Sequence, residues 1–255
     1  MLQNRTGRCA LAPLAMVAAL AAPGAALAQV ADSDAQRQKL VTLVGIPSGT
    51  SAPHGAVYFS LSGANRQSAT NDDPDGSLSF GVGFGSAEEA IGVQLSATLT
   101  SLTDDFGDSG YFGIKASRRL HAGENALTYV SLSADRLGGW GAAEDDDVRA
   151  DLAFTSFTRI ADGAYPVMLT LGAGTHRRDD ETEPGLFAGA GIGLTENFGA
   201  SLAWTGETAT LGASFRIDGL ENVYFTLAGE DIFDQKDRQR VSFTASFVKF
   251  DLFGR

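Results

Sequence analysis

The chain has a single cysteine, Cys9, so everything beyond its first ten residues is free of thiol. That excludes disulfides and thiolate metal sites from the bulk of the protein. Basic residues are scarce, with 19 Lys and Arg against 31 Asp and Glu, a net charge of −12. Such a balance excludes the basic face a nucleic-acid partner needs and electrostatic docking on anionic lipid. Histidine is confined to His54, His121 and His176. After position 28 no apolar run approaches the ~18 residues of a membrane-crossing helix. A chain of this kind can cross a membrane only as strands closed into a barrel, because lipid offers no partner to an open backbone.

The first 28 residues read differently from the rest. Arg5 and Arg8 precede an Ala- and Leu-rich run that ends Ala26-Leu27-Ala28 before Gln29, the pattern of a cleaved signal peptide over 1–28. Pro13, Pro23 and Gly24 interrupt the run, which disfavours a spanning helix. Cys9 lies ahead of the apolar run rather than after it, so no lipid anchor is expected. Removal of this segment leaves 17 basic and 31 acidic residues, net −14. An exported chain without cysteine needs another source of stability, and a closed sheet with no unpaired edge supplies one.

What is present from residue 54 onward is alternation. In 77–85 Leu78, Phe80, Val82 and Phe84 share one face, and Ser77, Ser79, Gly81 and Gly83 the other. The same period of two runs through 91–100, 208–217 and 240–247, which is the signature of strands and not of helices. Strands are expected near 55–65, 77–85, 91–102, 109–120, 127–137, 147–159, 165–176, 186–194, 198–206, 208–217, 222–231 and 240–250. Connections alternate too. Long ones at 66–76, 103–108, 138–146, 177–185 and 232–239 interleave with short ones at 86–90, 121–126, 160–164, 195–197 and 218–221. Only Gly206-Glu207 breaks the rule, being short where a long loop is due. Long loops at one end and short turns at the other belong to an outer-membrane barrel with its short turns in the periplasm.

The second face of these strands is mostly Ser, Thr and Gly, which suits a lumen that must not be overfilled. A soluble secreted β-barrel binding a small ligand would instead carry Lys and Glu outward. The expected fold is therefore all-β: a single antiparallel up-and-down transmembrane β-barrel of about 12 strands after the signal peptide. Residues 54–255 form the barrel, and 29–53 form a polar periplasmic lead-in or, alternatively, a plug in the lumen.

Eight charges fall on the small-residue face: Lys115, Arg119, Asp135, Arg149, Asp151, Arg216, Glu230 and Arg240. Inside a narrow lumen they must pair or face water. They either lock the barrel shut or tune which solutes pass. The long loops are acidic, at Asp72, Asp73 and Asp75, at Asp104, Asp105 and Asp108, at 144–147 and at 179–183. Solvation is the plain reading; capture of Ca or Mg is the sharper one, and it would bridge the loops to lipopolysaccharide. Asn71, Asp73 and Asp75 match the opening of a calcium loop, but Val82 stands where its closing Glu belongs. No other cofactor is expected. Gly81-x-Gly83-x-Gly85 and Gly189-x-Gly191-x-Gly193 have strand spacing, not that of a dinucleotide loop, and place Gly on the inner wall. An outer-membrane lipid-modifying hydrolase would need a nucleophile beside a base. His176, at the loop end of its strand, is the one His suitably placed, and no Ser motif accompanies it.

Signal peptide, cysteine-free acidic chain, alternating strands and loop asymmetry together resemble the Gram-negative outer-membrane β-barrel proteins, a porin-like class. The resemblance covers nearly all of the chain after the signal. It implies residence in the outer membrane among its lipid and lipopolysaccharide, assembly by the barrel-assembly machinery, and a non-enzymatic role as a porin-like passive channel for small solutes or a structural barrel. Such proteins often end on an aromatic; here Phe253 stands near the end, and Phe250 better continues the alternation.

Overall fold

The computed structural model describes residues 39–65, 74–100, 102, 106–123, 126–220 and 222–253. The expected signal peptide lies outside them, as do Asn71 and Asp73 of the calcium-type loop. Twelve strands form among the described residues. They are β1 (Val57–Ala64), β2 (Asp75–Gly85), β3 (Gly92–Leu99), β4 (Gly110–Ala122), β5 (Ala126–Trp140) and β6 (Arg149–Ile160), then β7 (Tyr165–Arg178), β8 (Glu183–Thr195), β9 (Phe198–Trp204), β10 (Ala209–Phe215), β11 (Val223–Glu230) and β12 (Arg240–Lys249). Each pairs antiparallel with its neighbours in sequence, and β1 closes the barrel on β12 from Val57↔Lys249 to Ala64↔Ser242.

The wall is uneven in height. Strands β4 to β8 have 12 to 15 residues, whereas β9 and β10 have 7 each. Two expected loops are accordingly shorter than the sequence pattern implies. β5 continues to Trp140 through Arg136 and Gly138, both at positive φ, with register shifts against β4. The alternation signal fails there because a bulge inserts residues out of phase. β7 and β8 likewise run on to a tip at 179–182, where Asp179, Asp180 and Glu181 all take positive φ. The brief Gly206-Glu207 connection belongs to the low side, where two short strands meet.

The outer surface is apolar. Phe80, Leu95, Leu132, Leu171, Leu211 and Phe243 all project from the wall, exposed. Phe215, Phe225 and Phe243 stack across three strands, with ring centroids 5.3 and 5.9 Å apart. A water-soluble barrel would turn this face inward, so the soluble alternative does not fit; a belt of this kind is the lipid-facing wall of a membrane barrel. No helix among the described residues is long and apolar enough to cross a membrane.

Inward-facing hydroxyls pair across strands: Ser60 with Ser246 at 2.9 Å, Ser79 with Thr98 at 3.0 Å, Thr155 with Thr170 at 2.7 Å. Residues 39–56 do not hang free of the barrel. They run inside it. The segment enters at the short-turn end, where the Leu40 N–H donates to the Thr195 carbonyl at 3.0 Å. It climbs past β8 to β10, turns over at 45–48, and descends past β5, β4 and β2 to Gly55, whose N–H donates to the Gly83 carbonyl at 3.0 Å. Its tip reaches the top of the low side, where Gly45 lies against Thr210, but only the middle of the tall side, at Ser131.

The two inner-wall glycine runs lie along this path. A Cβ at Gly191 would land on the Thr42 carbonyl oxygen, and one at Gly83 on the Pro53 carbonyl oxygen. Any larger residue at either place would push the segment off the wall.

Candidate functional site in the lumen

Four donors of the segment's backbone find side chains on four different strands. Val44 N–H donates to Ser201 Oγ at 3.2 Å, Gly49 N–H to Thr155 Oγ1 at 2.7 Å, Ser51 N–H to Ser117 Oγ at 3.1 Å, and Ala52 N–H to Gln94 Oε1 at 2.9 Å. The Ser48 carbonyl accepts from Ser131 Oγ at 2.8 Å. A segment without regular structure needs such partners once water is stripped from it. Two apolar clusters hold its arms. Leu43 and Ile46 pack with Ala153, Met168, Phe187 and Ala203; Leu40, Ala52 and Ala56 join a cluster with Tyr58, Tyr224 and Val248. Met168, Phe187, Tyr58 and Tyr224 are large inward residues of a wall that is mostly Ser, Thr and Gly, and they pack with the segment.

Above the tip, on the tall side, a polar cavity of about 90 Å³ remains, with Ile46, Pro47 and Ser48 at its floor and Lys115, Asp135 and Arg149 among its walls. Four of the eight expected lumen charges meet here. Lys115, Arg149 and Asp151 are buried, and Asp135 lies opposite Arg149 in the β5–β6 register. The other four do not. Arg119 pairs with Glu88 at 3.3 Å at the short-turn end. Arg216, also at that end, donates to the Glu196 carbonyl. Glu230 and Arg240 pair at 2.6 Å at the long-loop end of β11 and β12.

Three charges of the central group escape the sequence pattern. Arg177 grips Asp151 through two bonds, Nε to Oδ1 at 2.8 Å and Nη2 to Oδ2 at 2.6 Å. Glu181 reaches in from the β7–β8 tip and sits 2.6 Å from Arg149 and 3.0 Å from Arg136. Arg136 and Arg177 lie next to register shifts, so simple alternation puts them on the wrong face or in a loop. Glu181 belongs to an acidic run expected to be solvated. The one signal available was composition: Arg177-Arg178 directly precedes the acids at 179–181.

Two further acids at the long-loop end are partnered by bases. Asp180 and Glu207 share Lys236 and Arg238, with Asp180 to Arg238 at 2.7 Å. The acidic loops are thus partly cross-linked by basic neighbours rather than simply solvated. Asp75 opens β2 and accepts the Gly76 N–H at 2.8 Å. Among the described residues no three His, Cys, Asp or Glu gather as a metal would require. His176 contacts Thr175 Oγ1 at 2.8 Å and Asp147 at 3.7 Å. That hydroxyl already accepts the Ala150 N–H at 3.1 Å, which makes the trio a rim contact of the sheet. At the chain's end Phe253 stacks on Phe84 at 5.9 Å and Leu252 N–H donates to the Gly55 carbonyl, folding the tail back over the short-turn rim.

No protein-family model matches the chain, and no curated protein matches it in sequence. Solved structures do match. An outer membrane channel from Pseudomonas putida F1 aligns over 81% of this chain and 100% of its own, with 11% identity and a TM-score of 0.50. The KdgM porin in complex with disordered oligogalacturonate aligns over 75% of this chain and 98% of its own, with 11% identity and a TM-score of 0.48. The NanC porin covers the same shares at 5% identity and a TM-score of 0.47. At these identities the likeness is one of fold, and the first of them shares the closed barrel described above.

Proposed function

We propose that the protein is an outer-membrane, porin-like passive channel for small polar solutes, with residues 39–53 setting its narrowest passage. The observation that carries this reading is the lumen itself. Hydroxyls and charges line it, and a polar cavity stays open between the segment's tip and the long loops. Water and small solutes fit such a lining; a core that only held the barrel shut would be dry and filled. The short-turn end, where the segment enters and the C-terminal tail folds back, faces the periplasm in this reading. The barrel architecture shared with the outer membrane channel of Pseudomonas supports residence in the outer membrane. One observation favours the structural-barrel alternative: the segment seats closely on glycines of the wall.

Planar-bilayer recording separates the two. The refolded full chain is expected to give small discrete current steps, and deletion of residues 40–52 is expected to enlarge them several-fold. Silence from both proteins would leave the structural barrel.

A further inference from the structure

We propose that the cavity above the segment's tip is a binding site for a small carboxylate, of about acetate's size, held by Lys115 and Arg149. The proposal deepens the channel reading and rests on it for the route by which the solute arrives.

The charge count around the cavity favours an anion. Arg177 and Asp151 neutralise each other in a closed two-bond pair. Glu181 is one anion between two guanidiniums, Arg136 and Arg149. Lys115 faces Asp135 across the cavity, and Asp151 lies at its own level two strands away. Among the charged side chains that line the cavity, Lys115, Arg136, Arg149 and Arg177 face one acid, Asp135.

Donors without acceptors point the same way. The buried Lys115 ammonium makes a single long bond, to the Ser48 carbonyl at 3.5 Å, and no carboxylate lies within 4.0 Å of it among the described residues. Three donors sit on that nitrogen. Arg149 is 3% exposed, and its Nε–H has no hydrogen-bond partner among the described residues. Buried donors left unmade are costly, and an acceptor with two oxygens would satisfy both groups.

Space and shape agree. Gly113 removes a side chain from the wall at the level of Asp135; a Cβ there would sit 2.7 Å from Ser96 Oγ. About 90 Å³ accommodates a carboxylate and a few waters. Ile46 and Pro47 at the floor offer apolar surface to its alkyl end. A cation would find Asp135 alone, with Lys115 and Arg149 repelling it.

Acetate is the probe, followed by saturation-transfer magnetic resonance on the detergent-solubilised full chain. Lys115→Gln should weaken acetate binding about tenfold, the loss of one charge-assisted bond. Asp135→Asn removes the competing negative charge and should tighten it several-fold. A general loosening of the barrel cannot move the two variants in opposite directions. Absence of binding to the wild-type protein, or equal or same-sign effects of the two variants, would overturn the site. If Lys115→Gln fails to fold, Asp135→Asn alone decides, because only an anion site gains from it. A protein that binds acetate in this way yet passes no current would sink the channel reading and leave the site standing. A conducting protein that ignores acetate would do the reverse.

Discussion

Ile46 anchors the inward segment, and Ile46→Ala should release it measurably. Its side chain is 3% exposed and packs with Leu43, Met168, Phe187, Ala153 and Ala203. Truncation removes three buried carbons, about 2.4 kcal/mol at ~0.8 kcal/mol per methylene. A cavity left behind would add to this. The polar cavity adjoins Ile46, however, so the gap can fill or relax, and we expect about 2–3 kcal/mol in all. At ~1.4 kcal/mol per factor of ten, the undocked state gains roughly 30- to 150-fold in population. The strands keep their own hydrogen-bond ladder, so the opening stays local. Hydrogen exchange read by mass spectrometry tests this directly. The amides of Val44, Gly49, Ser51 and Ala52, which donate to wall side chains, should exchange faster by that factor, and those of β1 to β12 should not. Acceleration below about threefold would mean that Ile46 does not anchor the segment. Equal acceleration in the strands would mean that the barrel, not the segment, is what loosens.

Two further outcomes follow from the ion pairs of the lumen and its rim. Asp151→Asn strands the Arg177 guanidinium, whose side chain is 5% exposed, and should lower stability by about 3–5 kcal/mol in denaturant unfolding. Adding Arg177→Met should recover much of that loss, and losses that simply sum would refute the coupling. Glu181, at the β7–β8 tip, is pulled two ways: burial raises its pKa, but Arg149 and Arg136 more than offset this and hold the carboxyl below its ordinary value. Its contribution is complete above the unfolded-state pKa of about 4.3 and is lost as pH falls through the lower folded value. Unfolding midpoints should therefore drop on acidification below about pH 4, and Glu181→Gln should flatten that part of the profile.

Much of the barrel was legible in the chain, because a strand's side chains alternate with a fixed period and a two-faced wall imposes that period everywhere. Leu78, Phe80, Val82 and Phe84 declared the lipid face, and Ser77 and Ser79 the lumen. The pattern failed where the backbone departs from period two. Arg136 stands at a positive-φ bulge and Arg177 beside a register shift, so the central ion-pair group was only half visible. Strand ends on the tall side were misjudged for the same reason: charged and glycine residues that look like loop extend β5, β7 and β8.

The glycine runs show most clearly where local reading stops. Gly189-x-Gly191-x-Gly193 and Gly81-x-Gly83-x-Gly85 mark an inner wall by spacing alone, and that much belongs to the sequence. At Gly83 and Gly191, what the missing side chain makes room for is set by residues 30 and 149 positions away in the chain. Only closure of the sheet brings Thr42 against Gly191 and Pro53 against Gly83. The sequence by itself determined a closed, membrane-facing sheet with a polar interior, because alternation is a nearest-neighbour property. The tertiary structure decided what occupies that interior, because which groups meet across a barrel depends on height, register and bulges accumulated over all twelve strands.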